Sequence, residues 1–345
     1  MQEAHPFARM PVDQLYRWFA SETAPTSPTW GRLCAWIADE PAIGARLDAL
    51  PGAKRQPNIF LGALKYLGGP VEPGPEFASW FAAHADEIEA VILARATQTN
   101  EPGRCAVLAP VLASLPQPIT LLEVGSSAGV CLLPDRYRYR FSGRGAVGPP
   151  AAGADAPVLD CEVEGTPPGD VSRLVVAGRC GLDVNPLDPG DPDDVRWLKA
   201  LVWPGEDARE ARLGDALDLA ARAAPPILLG DLRRDLDRLL ARVVPGSTPV
   251  LQHAAVLMYL DRAERDVFER AVTEAGVHWL SYEGASVVTS VRARLTDADE
   301  WGGRPNFVVA LDGVPVGRAS PHGAWVRWDT SRARSRAEFG PKRTF

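Results

Sequence analysis

Five cysteines are scattered through 345 residues, odd in number and never in C-x-x-C spacing. That excludes a disulfide framework and a cysteine zinc knuckle, and it reads as reduced, buried thiols in a cytoplasm. The five histidines are equally dispersed, with no H-x-x-x-H, so no local metal motif exists and no metal is expected. No apolar run approaches the roughly 20 residues that a membrane span requires. The opening residues MQEAHPFARM lack the charged-then-apolar order of a secretory signal. Basic residues are outnumbered, 37 against 44, and the net charge of −7 argues against a nucleic-acid backbone as the main partner. These absences suit a cytoplasmic protein with a small-molecule or protein substrate, away from membranes, with an oligomeric state the sequence does not specify.

What is present is apolar mass: 46% hydrophobic residues and ten tryptophans, in a chain long enough for two domains. Residues 1–117 read as helical, with Phe77, Phe81, Ile88, Val91 and Ile92 recurring near 3.6 spacing through 76–97. Thr29 and Asn58 are candidate caps of two earlier helices. From Ile119 onward, strands alternate with helices, which predicts an α/β domain over 118–330 with a mainly parallel sheet. Strands are expected at 119–124, 174–183, 227–231, 250–257 and 277–282. A late antiparallel hairpin at 307–311 and 314–318 would turn on Asp312-Gly313. Alternating segments at 137–141 and 158–163 predict an inserted hairpin within about 137–170. Asp191-Pro192 and the Asp261/Glu264 pair mark helix starts. The Arg/Ser-rich end, 331–345, reads as a mobile tail.

The first strand ends in an acid and enters a small-residue turn: Glu123, Val124, Gly125, Ser126, Ser127, Ala128, Gly129. Small residues admit a ligand to the backbone, and a short helix ending near Pro134 would offer free N–H groups at its start. A dinucleotide fingerprint wants a phosphate at this turn, which Glu123 would repel. The spacing E-x-G-x-S-x-G instead resembles the first motif of class I S-adenosylmethionine-dependent methyltransferases. That resemblance implies a Rossmann-like class I methyltransferase sheet and S-adenosylmethionine as cofactor. It implies contacts from Glu123, Gly125, Ser126, Ser127 and Gly129, with Glu123 drawing the methionine ammonium. Asp183 and Asp231 end the next two strands. Asp183 suits both ribose hydroxyls and Asp231 the adenine amino group, with Leu232 against the ring. The alternatives are that Asp183 braces the turn to Asn185 and that Asp231 starts a helix.

His253, near the end of the fourth strand, suits a general base, or else a hydrogen-bonded, half-buried histidine. Tyr282 and Glu283 end the fifth strand and suit substrate orientation. Asn100, Glu101 and Arg104 lie at a helix break rich in hydrogen-bonding groups, where Asn100 alternatively caps a helix. Trp203 suits a pocket wall or a packed helix end, and His322 lies in a turn near the end of the sheet.

Five stretches stand out: QTNEPGR at 98–104, EVGSSAG at 123–129 with DRY at 135–137, GLDVNPLD at 181–188, DPDDVRWLKALVWP at 191–204 and PHGAW at 321–325. On them the sequence is similar, over nearly its full length, to an uncharacterised bacterial family, domain of unknown function 2332. The family name confers no activity. The expected function is methyl transfer to an oxygen or nitrogen of a small molecule. The rival readings are a nucleotide-dependent oxidoreductase, and a binding or regulatory protein with a relict cofactor crevice.

Overall fold

A computed structural model describes residues 10–295 and 306–329; the tail at 331–345 lies outside them. Among the described residues, eleven helices and ten strands follow in chain order: α1 (Val12–Thr23), α2 (Pro28–Ile37), α3 (Pro41–Ala49), α4 (Pro57–Tyr66), α5 (Pro75–Ala94), α6 (Arg104–Leu112), β1 (Ile119–Val124), β2 (Arg138–Phe141), β3 (Val158–Glu164), β4 (Val176–Asp183), α7 (Pro192–Ala200), α8 (Asp207–Ala223), β5 (Ile227–Leu229), α9 (Leu236–Leu240), β6 (Thr248–Ala254), α10 (Arg262–Ala275), β7 (His278–Gly284), α11 (Thr289–Arg292), β8 (Phe307–Leu311), β9 (Val314–Ala319) and β10 (Trp325–Trp328). They divide into two compact units, Met1–Thr99 with Pro189–Gly214, and Asn100–Asp188 with Asp215–Phe345. This division differs from a boundary at 117/118: α6 belongs with the sheet, and α7 belongs with the helices.

In the helical unit, α2, α3, α4, α5 and α7 all carry proline in their first turn, where a backbone N–H has no intrahelical partner to lose. Pro28 and Pro57 therefore displace Thr29 and Asn58 from the capping position, which falls to Ser27 and Gln56. The core is aromatic: Tyr16 meets Phe60 edge-on and Phe60 meets Phe81. Segment 189–214 is tied in by Trp197, whose indole N–H donates to the Ala96 carbonyl at 3.0 Å, and by Arg95, which pairs with Asp193 and Asp194. Gly62 lets Trp197 and Leu201 approach α4, where a Cβ would collide with Leu201.

The other unit is a mixed α/β fold built on one large, mostly parallel sheet of order β2-β3-β10-β9-β8-β7-β6-β1-β4-β5. The run β5-β4-β1-β6-β7 is parallel throughout. Counted along the chain these five strands stand 3-2-1-4-5, so the progression reverses between β1 and β6. In open parallel sheets such a reversal opens a crevice at the carboxyl ends of the strands. β8, β9 and β10 continue antiparallel. The β8–β9 turn has Asp312 and Gly313 both at positive φ, the primed geometry their identities predict.

The expected hairpin at 137–170 is corrected. β2 and β3 pair in parallel, and β3 joins the sheet through β10, also in parallel. The stretch 142–157 between them is long enough for the crossover that a parallel pair needs. β10 lies between β3 and β9 and had no expectation attached to it.

On one face, Leu122, Leu182, Leu251 and Trp279 pack with Phe268 and Val272 of α10. α6, buried from Arg104 to Leu112, contacts β3, β7 and β8. A helix buried on all sides needs no polar face, which is why 104–112 reads as nearly continuous apolar sequence. Among the described residues, no helix is long and apolar enough to cross a membrane.

Candidate functional site at the carboxyl ends of β1, β4 and β6

The turn after β1 winds through three residues at positive φ, Gly125 (71°), Ser127 (49°) and Gly129 (75°). It does not lead into an α-helix, as expected, but into one 3-10 turn, Val130–Leu132. The reason lies in the sequence. The helical partner of the Val130 carbonyl would be the N–H of residue 134, which is proline and has none. Tyr137 Oη donates to that carbonyl instead, at 2.9 Å. The row of free N–H groups expected from a helix start is therefore missing.

The small residues of the turn are packed by the chain itself. A Cβ on Gly125 would collide with Val256, one on Gly181 with Ser126, and one on Gly129 with Pro225. Asp183 braces the turn: Oδ2 accepts the Ser127 N–H and Oδ1 the Asn185 N–H, both at 2.8 Å. Burial raises its pKa, and the two amide donors oppose the rise. Asn100 serves this turn too, and does not cap α6. Its Nδ2 donates to Ser127 Oγ at 2.6 Å, and its Oδ1 accepts the Ala128 N–H at 3.2 Å.

Glu123 is buried, and only one of its oxygens is used: Oε1 accepts Gln252 Nε2 at 3.1 Å, while Oε2 has no partner. Burial pushes its pKa up to about 8, with Asp183 adding to the rise and Gln252 and Arg104 opposing it. Arg104 donates from Nε to the Pro321 carbonyl and from Nη1 to the Ala254 carbonyl, each at 3.0 Å. Gly323 lies against the Gly103 carbonyl, Glu101 Oε1 accepts the Gly103 N–H at 2.9 Å, and Tyr282 Oη donates to the Ser320 carbonyl. The stretches 100–104, 123–129 and 320–323, distant in sequence, thus assemble at one end of the sheet, with His322 in the last of them.

Other expected site residues are placed differently. Asp231 is held by Arg233, whose Nε and Nη2 reach both carboxylate oxygens at 2.5–3.0 Å, so its pKa is lowered. It neither caps a helix nor offers a free oxygen; Asp235 precedes α9. Leu232 helps line a 680 Å³ groove with Leu236, Leu240 and Phe268. His253 is corrected as a general base. Its Nε2 accepts the Trp279 indole N–H at 2.9 Å, which fixes the hydrogen on Nδ1, and Nδ1 donates to Glu283 Oε1 at 2.8 Å. No ring nitrogen is left for a substrate. Glu283 holds the same turn: Oε1 also accepts the Val256 and Leu257 N–H groups, while Oε2 is buried without a partner. Trp203 belongs to the helical unit, bonded to Asn58 and edge-on to Phe19.

Gln252 and Val256 were missed. Gln252 is a polar residue inside an apolar strand and registers opposite Glu123, a signal readable in the sequence. Val256 carries no such signal.

These features define a mixed α/β protein with a polar cluster at the strand reversal of its sheet. Over residues 13–328 the chain matches the family described as uncharacterized protein conserved in bacteria (DUF2332), and it belongs to that family. No curated protein and no solved structure matches it.

Proposed function

We propose that the sheet unit binds S-adenosylmethionine at the carboxyl ends of β1, β4 and β5 and transfers its methyl group to an oxygen or nitrogen of a small molecule. The observation that carries this reading is the unpaired, buried Oε2 of Glu123 at the strand reversal. Burial keeps that carboxyl neutral below about pH 8, and a ligand that brings a cationic donor would let it ionise and pair. Asp183 fits a ribose, because each of its oxygens accepts one backbone N–H and retains a lone pair. Val184 and Leu229, 66% and 67% exposed, flank Asp183 and give an apolar ring a shelf. Asp231 does not fit the adenine amino group, since Arg233 saturates it. Bound there, the cofactor would supply an electrophilic methyl carbon; the protein's part is to orient it and exclude water.

Calorimetry with S-adenosylhomocysteine tests the reading: heat of one-site binding is expected, and its loss in Asp183→Ala. No binding to the folded wild-type protein would end it. The contact of Val256 with Gly125 favours a second reading, a non-catalytic binding protein whose crevice is filled from within. That reading predicts no affinity for S-adenosylhomocysteine or NAD.

A further inference from the structure

Arg104 is 5% exposed, and its guanidinium is held at the carboxyl end of β6 by two neutral carbonyls, Pro321 on Nε and Ala254 on Nη1. Nη2 donates to nothing among the described residues and is not sealed from solvent. Glu123 lies within electrostatic reach, but its carboxyl is neutral below about pH 8 and does not balance the charge. An arginine keeps its proton even when buried, so this cation calls for an anion.

The turn after β6 supplies the rest of a site. The chain leaves the strand through Ala255 at a φ of 58°, a left-handed conformation rare outside glycine. The Ala255 N–H donates to the Tyr282 carbonyl, and Glu283 Oε1 accepts the next two N–H groups. The turn so fixed carries Met258 and Tyr259, 42% and 51% exposed. The Tyr259 hydroxyl makes no hydrogen bond among the described residues. Burial raises its pKa, Arg104 opposes the rise and Glu283 adds to it. The hydroxyl is therefore turned in toward these two groups, and the open part of Tyr259 is its ring. Glu283 is the opposing charge, and its Oε1 is already engaged by three donors. A buried cation with an unused nitrogen, an unused phenol and two exposed apolar side chains thus meet just past the end of β6.

We propose that Arg104 and Tyr259 bind the carboxylate of an apolar carboxylic acid, whose body lies against the Tyr259 ring and Met258. The carboxylate accepts an N–H from the guanidinium and the O–H of the phenol, both strengthened by its charge. The apolar body covers side chains that water now meets. Under the methyl-transfer reading this acid is the acceptor, and for that role alone the inference rests on that reading. A carboxylic acid has a pKa of about 4 and is ionised at neutral pH, so its attack needs no base. His253 has no nitrogen left to act as one. One carboxylate oxygen bonds to the methyl carbon, the bond from that carbon to sulfur breaks, and its electron pair stays on sulfur. The products are a methyl ester and a neutral thioether, and no proton moves. β6 lies across the strand reversal from β4 and β5, so acid and nucleoside do not compete for one place.

Calorimetry on the full chain tests this with 3-phenylpropanoate and its uncharged amide, 3-phenylpropanamide, alongside S-adenosylhomocysteine. The acid is expected to bind about tenfold or more tighter than the amide. Arg104→Met should abolish that preference, Tyr259→Phe should reduce it, and Tyr259→Ala should weaken both probes. Equal affinity of the wild-type protein for acid and amide, or no binding of either, would overturn the site even if S-adenosylhomocysteine binds; this comparison needs no variant to fold. Full preference retained in Arg104→Met would overturn it as well. Preference for the acid without any binding of S-adenosylhomocysteine would uphold the carboxylate site and overturn the methyl-transfer reading instead.

Discussion

His253 Nδ1 lies 2.8 Å from Glu283 Oε1, and the opposite ring nitrogen already holds the indole N–H of Trp279. A strand-end histidine with a nearby acid resembles catalytic machinery in sequence. In the structure the pair is a strut: Glu283 Oε1 gathers the imidazole and two backbone amides, and so fixes the turn that presses Val256 against Gly125. Glu283→Ala leaves three donors without an acceptor, two of them buried and the Val256 N–H half-buried, and the expected loss of stability is about 3–5 kcal/mol. Chemical denaturation of the variant measures it. A loss under about 1 kcal/mol would show that water replaces the carboxylate.

Gly125 is required twice, by its φ of 71° and by Val256 standing where a Cβ would go. Gly125→Ala is expected to destabilise the fold by about 2 kcal/mol or more, strain and overpacking combined. In Gly125→Ala/Val256→Ala the packing part is relieved, so the double variant should be more stable than the two single losses summed. Additive losses in a double-mutant cycle would refute the contact.

Glu123 sets a pH dependence. Its folded pKa is raised from the ordinary 4.5 to about 8. The stabilisation from its neutral form is fully present below about pH 4.5 and is lost as the pH rises through about 8. Glu123→Gln stays neutral at every pH. The variant should therefore gain on the wild-type protein between pH 5 and 8.5, by a few kcal/mol at ~1.4 kcal/mol for each pH unit between the unfolded and folded pKa. Paired melting curves at the two pH values check this; a constant difference would mean that the carboxylate is already ionised at pH 5. The same sign governs a cationic ligand, whose affinity should rise from pH 6 to 8 with release of a proton.

Asp231→Asn separates strand-end acids that look alike in sequence. Arg233 is 40% exposed, so loss of its pair with Asp231 should cost less than about 1 kcal/mol. S-adenosylhomocysteine affinity should be unchanged within about twofold, whereas Asp183→Ala abolishes it. A large loss of affinity in Asp231→Asn would restore that residue to the site.

Much of the sheet is legible in the sequence because strand period and helix starts are local. The apolar run at 119–124, the capping pair Asp261 and Glu264, and the Asp312-Gly313 turn each carry their own signal, and each forms as read. The 137–170 segment fails because two alternating stretches around a Gly/Pro-rich connection look the same whether the second strand returns antiparallel or crosses over in parallel. The helix expected after Gly129 fails for a reason that was readable, since Pro134 removes the N–H that the Val130 carbonyl needs.

By itself the sequence determined which residues are small, which are charged and where strands end, because those properties belong to single side chains and short spacings. Only the tertiary structure decided what each strand-end acid meets: Glu123 a neutral amide and a vacant oxygen, Asp183 two backbone amides, Asp231 an arginine, Glu283 an imidazole. Gln252, Ser127 and His253 stand 129, 56 and 30 residues from the acids they meet, and the order in which the strands assemble brings each within 3.1 Å. A carboxylate's role is set by the donor that folding delivers to it, and identity alone does not encode that donor.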